Sequence, residues 1–314
     1  MKNSLKSIII LLFFSITCFS QELPVEKSEN HILIEGTNIY LIPPSSFEPS
    51  KNFKGFQKPI DPTSMIMAME IPGPYNEVIK GFSEEMMKAR GMDLISKKEV
   101  RIAGFDGLII ELNQAANGMV FSKRILIYGD EKASTFINGV YLKDSVQLGE
   151  SIKASVLTTY IDTALVTDPR AALDYTLDED AGALKFHSAI GNGMLFNRDL
   201  KTPTESLDKV VLITDKSFAK MEIPDNKAFC ISRLNEYPDK FSVIDDKGIN
   251  EIELDGLSGF ELYASNDADE TEEMYQVMLF EEDGGYFLFV GTYLAGNENA
   301  LEDIKAVINT FERK

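Results

Sequence analysis

Apolar and polar positions follow two kinds of period along this chain, and the same succession of patterns occurs twice. Strand-like apolar runs at 108–112, 125–128 and 135–142 lead into a stretch where Leu148, Ile152, Val156 and Tyr160 recur at helical spacing. Runs at 257–263, 275–280 and 286–294 lead in the same way into Leu301, Ile304, Ile308 and Phe311. Turn signals fall between the runs: Asp106-Gly107 and Asp255-Gly256 before the first, and 129–132 and 282–285 between the second and third. Each set predicts a hairpin sheet closed by a helix that turns one apolar stripe to it. Asn299 is placed to cap the last helix, because its side-chain oxygen accepts from free backbone N–H groups. Ahead of the first set, Tyr75, Val78, Phe82, Met86 and Ala89 share a face. Pro74 suits a first helical position and Gly91 a C-cap, so the spacing predicts a helix over 74–90. Its counterpart at 226–236 is shorter and less regular.

Short identities tie the two sets together. Met69-Glu70-Ile71-Pro72 recurs as Met221-Glu222-Ile223-Pro224, Asp106-Gly107-Leu108 as Asp255-Gly256-Leu257, Gly139-Val140-Tyr141-Leu142 as Gly291-Thr292-Tyr293-Leu294, and Ile152-Lys153-Ala154 as Ile304-Lys305-Ala306. The offsets are 152, 149, 152 and 152 residues. Four anchors in one order indicate an internal duplication. Hairpin-linked strands packed by a helix belong to the α+β class, not to a doubly wound parallel sheet. The expectation is therefore two tandem α/β/α sandwich domains, each with a mainly antiparallel sheet and a C-terminal helix. They span 31–163 and 181–314, joined by a linker at 164–180 that holds Asp168-Pro169 and the acidic run Asp178-Glu179-Asp180.

The N-terminus changes the picture of where the chain goes. Lys2 and Lys6 precede an apolar core at 8–14, and Ser15, Thr17, Cys18 and Ser20 follow. That core is shorter than the roughly 20 apolar residues a membrane-spanning helix needs, and it matches a secretory signal. Cleavage is expected after Ser20, leaving Gln21 first and 21–30 as a leader. A retained anchor and a lipoprotein lipidated at Cys18 are the alternatives, but Ser15 and Thr17 fit the lipidation motif poorly. No later apolar run is long enough to span a bilayer. The expected destination is the periplasm or the extracellular space.

The formal charge of −19 repels phosphate backbones, which argues against nucleic acid and favours cationic partners. Cys230 is the one cysteine beyond the signal, so no intramolecular disulfide is expected, and its apolar neighbours predict a buried, inert thiol. The two histidines are His31 in the leader region and His187, read as a structural residue beside Phe186. They are too few for a zinc site or a convincing catalytic triad. No phosphate-binding or nucleophile-elbow motif occurs. No cofactor is expected. Asp267, Asp269 and Glu270, with Glu272 and Glu273, make a weak calcium candidate. An EF-hand loop counted from Asp267 would need Gly and Glu where Glu272 and Met278 stand, so a solvated hairpin loop is the favoured reading.

With these pieces in place, each half resembles the Mog1/PsbP-like superfamily. The resemblance rests on the early helix at 74–90, the Val100-Arg101-Ile102 strand, the turn at Gly104-Phe105-Asp106-Gly107, two further strands and the closing helix. In the second half it rests on 249–254, Asp255-Gly256, two strands and 301–311. It implies a compact sandwich that binds a partner instead of catalysing a reaction, here in two tandem copies. The functional expectation is an exported, non-catalytic binding protein of the cell envelope, for an unknown protein or small ligand. A carboxylate-dependent hydrolase with an inter-domain cleft and a calcium-stabilised structural module are the alternatives.

Overall fold

The computed structural model describes residues 21–23, 26–59, 61–116, 118–218, 220, 222–245 and 248–314. The expectations placed on 1–20, including Cys18 and the Ser20 side of the cleavage site, lie outside the described residues.

The first unit is built on one eight-stranded sheet. Its strands are β1 (Gln21–Glu22), β2 (Glu48–Pro49), β3 (Gly55–Lys58), β4 (Asp61–Pro72), β5 (Met92–Ile102), β6 (Phe105–Ala116), β7 (Met119–Gly129) and β8 (Ala133–Leu142). Their spatial order is β1-β5-β6-β7-β8-β4-β3-β2, antiparallel except for β1 on β5. Both faces are covered. The helix α2 (Val146–Val156) buries Ile152 and Val156 with Ile109, Leu126 and Ile137. On the other face, α1 (Glu84–Ala89) and the helical turns before it bury Tyr75 and Met87 with Leu108, Ile110 and Ile127. Neighbours such as Leu108 and Ile109 thus serve opposite cores, which is why the runs read as continuously apolar.

The second unit repeats this plan with β9 (Lys185–Ile190), β10 (Gly193–Asn197), β11 (Val211–Lys216), β12 (Phe241–Val243), β13 (Ile249–Leu254), β14 (Leu257–Asn266), β15 (Glu272–Phe280) and β16 (Tyr286–Leu294). The order is β9-β10-β11-β16-β15-β14-β12, with β13 also pairing β14. The path β5-β6-β7-β8-β4-β3 in one unit matches β13-β14-β15-β16-β11-β10 in the other. The helix α4 (Glu298–Ile308) covers one face and α3 (Asn226–Ser232) the other. Two related α+β sandwiches on antiparallel sheets are what the sequence pattern predicts.

The equivalence is closest at the helix–sheet crossing. A Cβ on Gly139 would lie 2.5 Å from Ile152, and one on Gly291 would lie 2.6 Å from Ile304. Each glycine lets an isoleucine of the closing helix sit on the sheet, at the same 152-residue offset. Two other anchors are not equivalent. The β5–β6 turn is made by Ala103-Gly104, at φ 49° and 87°, and the β13–β14 turn by Asp255-Gly256, at 48° and 70°. Asp106 and Gly107 already lie in β6. Ile71 and Pro72 end β4, whereas Ile223 and Pro224 follow β11 on the approach to α3, and Met221 lies outside the described residues.

Several element boundaries also differ from expectation. The helix expected over 74–90 is broken into Tyr75–Val78, a 3-10 turn Ile79–Phe82 and α1. Gly81 weakens the middle, and Ser83 starts a new helix by accepting from the Met86 N–H at 3.2 Å. The break resets the stripe, so Met87 is buried and Met86 is exposed. The cap of α4 is Asn297, which accepts from the Ala300 N–H at 3.1 Å, instead of Asn299. Residues 21–23, read as leader, join the sheet through β1, and Leu23 lies in the core. Within 164–180, Leu173 and Tyr175 are buried in the second core, and Tyr175–Thr176 pairs with Glu312–Arg313.

Candidate functional site between the two units

A cleft of about 470 Å³ lies where the units and their connection meet. Its walls come from the first unit around Thr37, Lys54 and Glu70, from the connecting residues 165–167 and Pro169, and from 186–189 of β9. Two larger depressions, of about 620 and 710 Å³, flank the start of α3. They are lined by the second unit alone, and residues 219 and 221 beside them lie outside the described residues.

The backbone fixes Lys54 in this cleft. Gly55, at φ 151°, is pressed so close to β4 that a Cβ would fall 2.0 Å from the Ile66 carbonyl oxygen. The Lys54 carbonyl accepts from the Ala68 N–H at 2.8 Å. Lys54 lines the cleft, and the residue is only 8% exposed. Its ammonium makes no hydrogen bond or ion pair with any of the described residues. Burial holds its ammonium pKa below the usual lysine value, although the charges of Glu70 and Asp168 pull it upward. Glu70 is exposed on the cleft wall, and its carboxylate too has no hydrogen bond or ion pair with the described residues. Asp168 is occupied by Arg170, whose Nε donates to it at 3.0 Å.

His187 reaches the cleft through an irregularity of β9. The pairing with β10 shifts between Phe186 and Ser188, which leaves His187 as the extra residue of a bulge. Bulges re-aim side chains, and this one sets His187 and Ser188 in the lining, 3.1 Å apart from Nδ1 to Oγ. The sequence alone did not place His187 at a cleft. The pattern Phe53-Lys54-Gly55-Phe56, a lysine enclosed by aromatics beside a glycine, was the available signal for Lys54.

Asn192, just before Gly193 as Lys54 is before Gly55, reaches across to donate to the Asn52 carbonyl. Phe53 and Phe218 meet edge to face, 6.4 Å between centroids. Within the cleft lining, Glu70 is the one carboxylate, so the converging pair that a glycosidase needs is not assembled there.

The other sequence candidates lie elsewhere. Asp267, Asp269 and Glu270 occupy the β14–β15 loop, and no group of metal-ligating side chains occurs among the described residues. The Asp269 carboxylate is taken by the Thr271 N–H and hydroxyl, and Glu272 accepts from Asn266 Nδ2 at 2.7 Å. Cys230 is fully buried, and burial pushes its thiol up to about 12. His31 joins the leader to the first unit, with Nε2 2.8 Å from the Thr158 carbonyl.

The repeats have diverged under their closing helices. In the first unit, Lys153 lies 3.8 Å from Glu111, which also pairs with Arg124. At the matching places of the second unit, Lys305 donates to the Tyr263 hydroxyl at 2.5 Å and lies 5.0 Å from the Tyr263 and Tyr275 ring centres. Burial and the Glu261 carboxylate raise the Tyr275 phenol pKa, and that phenol donates to Glu261 at 2.5 Å.

No protein-family model matches the sequence, and no curated protein is significantly similar to it. Among solved structures, cyanobacterial PsbP (CyanoP) from Synechocystis is similar over 40% of this chain and 87% of its own, at 9% identity and a TM-score of 0.30. LpqN of Mycobacterium tuberculosis, involved in cell envelope biogenesis, is similar over 44% and 75%, at 16% identity and 0.26. The immunity protein TplEi of Pseudomonas aeruginosa is similar over 90% and 97%, at 10% identity and 0.30. These likenesses concern the fold alone. No helix among the described residues is long and apolar enough to cross a membrane.

Proposed function

We propose that this chain is an exported, non-catalytic binding protein of the cell envelope, made of two tandem Mog1/PsbP-like units that hold a ligand between them. The observation that carries this reading is the Lys54 ammonium, which lines the cleft on a largely buried side chain and has no hydrogen-bond or ion-pair partner among the described residues. Burial lowers the pKa of this ammonium, and a partly desolvated charge facing a cleft is a candidate anchor for a ligand. Ligand sites of a few hundred Å³ between packed bodies, with a few polar groups converging on them, are the common form of small-molecule recognition. The export part rests on Lys2, Lys6 and the apolar stretch at 8–14.

Two measurements test this. Mass spectrometry of the protein recovered from cells is expected to find Gln21 as the first residue; a retained N-terminus refutes cleavage, and recovery in the cytosolic fraction refutes export. Native mass spectrometry after incubation with an envelope extract is expected to find a bound species on the wild type and none on Ser188→Trp, which fills the cleft. Equal retention by both forms, or no retention by the wild type, refutes the cleft as the binding place.

A further inference from the structure

The charges in the cleft define the class of ligand. Lys54 and Glu70 carry opposite signs and both line the same space, yet no ion pair joins them, and neither has a partner among the described residues. They are coupled, since the Glu70 charge raises the Lys54 pKa. Opposite charges that feel each other without touching leave a gap that a molecule with both charges closes. A simple anion would satisfy Lys54 and be repelled by Glu70. A simple cation would meet the reverse conflict. A zwitterion gives each group its counterpart at once.

We propose that the cleft binds a small zwitterion, a free amino acid or a dipeptide, with its carboxylate on Lys54 Nζ and its ammonium on Glu70. This rests on the reading of the cleft as the binding place. Charge-assisted hydrogen bonds of this kind are about twice as strong as neutral ones, and the buried end at Lys54 is the stronger. The space of about 470 Å³ accommodates a side chain beyond the two charged groups. His187 and Ser188 from β9, and Thr135 from β8, form the polar wall such a side chain would meet. Because the walls belong to both units, occupancy would also tie the units together.

Calorimetric titration of the purified protein with the free L-amino acids and with alanyl-alanine tests this, beside their N-acetylated and C-amidated forms. The expected result is binding of at least one zwitterion, weakened about tenfold or more by either blocking group. Lys54→Met and Glu70→Gln should each weaken it by a similar factor, which corresponds to one lost charge-assisted contact of about 1.4 kcal/mol. A single cooperative thermal transition in each variant establishes that it folds. Equal binding of the N-acetylated form overturns the proposal in favour of a plain anion site. No binding of any amino acid or of the dipeptide at about 10 mM, far above ordinary small-ligand affinities, also overturns it. In that event, an envelope species lost on Ser188→Trp would leave the wider binding function standing.

Discussion

Lys54 illustrates how one residue can be a cost to the fold. Its folded pKa is depressed, so the folded chain binds this proton less tightly than the unfolded one. Stability from this group therefore rises with pH towards the ordinary lysine value and is lowest where the ammonium is fully charged. Lys54→Met is expected to raise the thermal midpoint at neutral pH, with the gain over the wild type shrinking as pH approaches about 10. Asp215 gives a second case with its own window. Burial raises its carboxyl pKa above the usual value, so the wild type loses stability as pH rises through that raised pKa. Asp215→Asn should match the wild type below about pH 4 and exceed it at neutral pH in denaturant titrations. Cys230 calls for a kinetic measurement. A buried thiol pushed up to about 12 offers almost no thiolate near neutrality, so alkylation should proceed only as fast as the chain opens.

At the scale of elements, the glycines under the closing helices decide how near helix and sheet approach. Gly139→Ala and Gly291→Ala each place a methyl within about 2.6 Å of an isoleucine that has no room to retreat. A loss of about 1–3 kcal/mol is expected for each in denaturant titrations. Asn297→Ala should cost about 1 kcal/mol through the lost cap, whereas Asn299→Ala, inside the helix, should cost far less. These positions also mark what was legible in the sequence. The hairpin strands and closing helices could be read because their stripes recur at fixed spacing, and Gly139 and Gly291 showed only as matched positions of the repeat, their close approach to the helix being visible in the structure alone. The β5–β6 turn was read slightly late, at 104–107, because Ala103 takes a left-handed conformation that glycine or asparagine normally signals. The break at Ser83 was hidden because the apolar spacing continues on both sides of it. The cleft was least legible of all. Lys54, Glu70 and His187 stand far apart in sequence and are brought together by an edge glycine, a strand end and a bulge, none of which leaves a motif.

At the scale of the whole molecule, two units with separate cores meet where Asn192 donates to the Asn52 carbonyl and Phe53 packs edge to face on Phe218. Asn192→Ala is expected to loosen the units, seen as a larger radius of gyration in solution scattering, while each core keeps its secondary structure. The second unit carries a further feature at its margins. Tyr175–Thr176 pairs antiparallel with Glu312–Arg313, and the Lys314 N–H donates to the Asp174 carbonyl at 2.8 Å. Strand partners of this kind stand about 5 Å apart. The place where the chain enters this body is thus adjacent to the place where it leaves. A segment whose start and finish touch can be transplanted into a surface turn of an unrelated host without pulling the host's backbone apart.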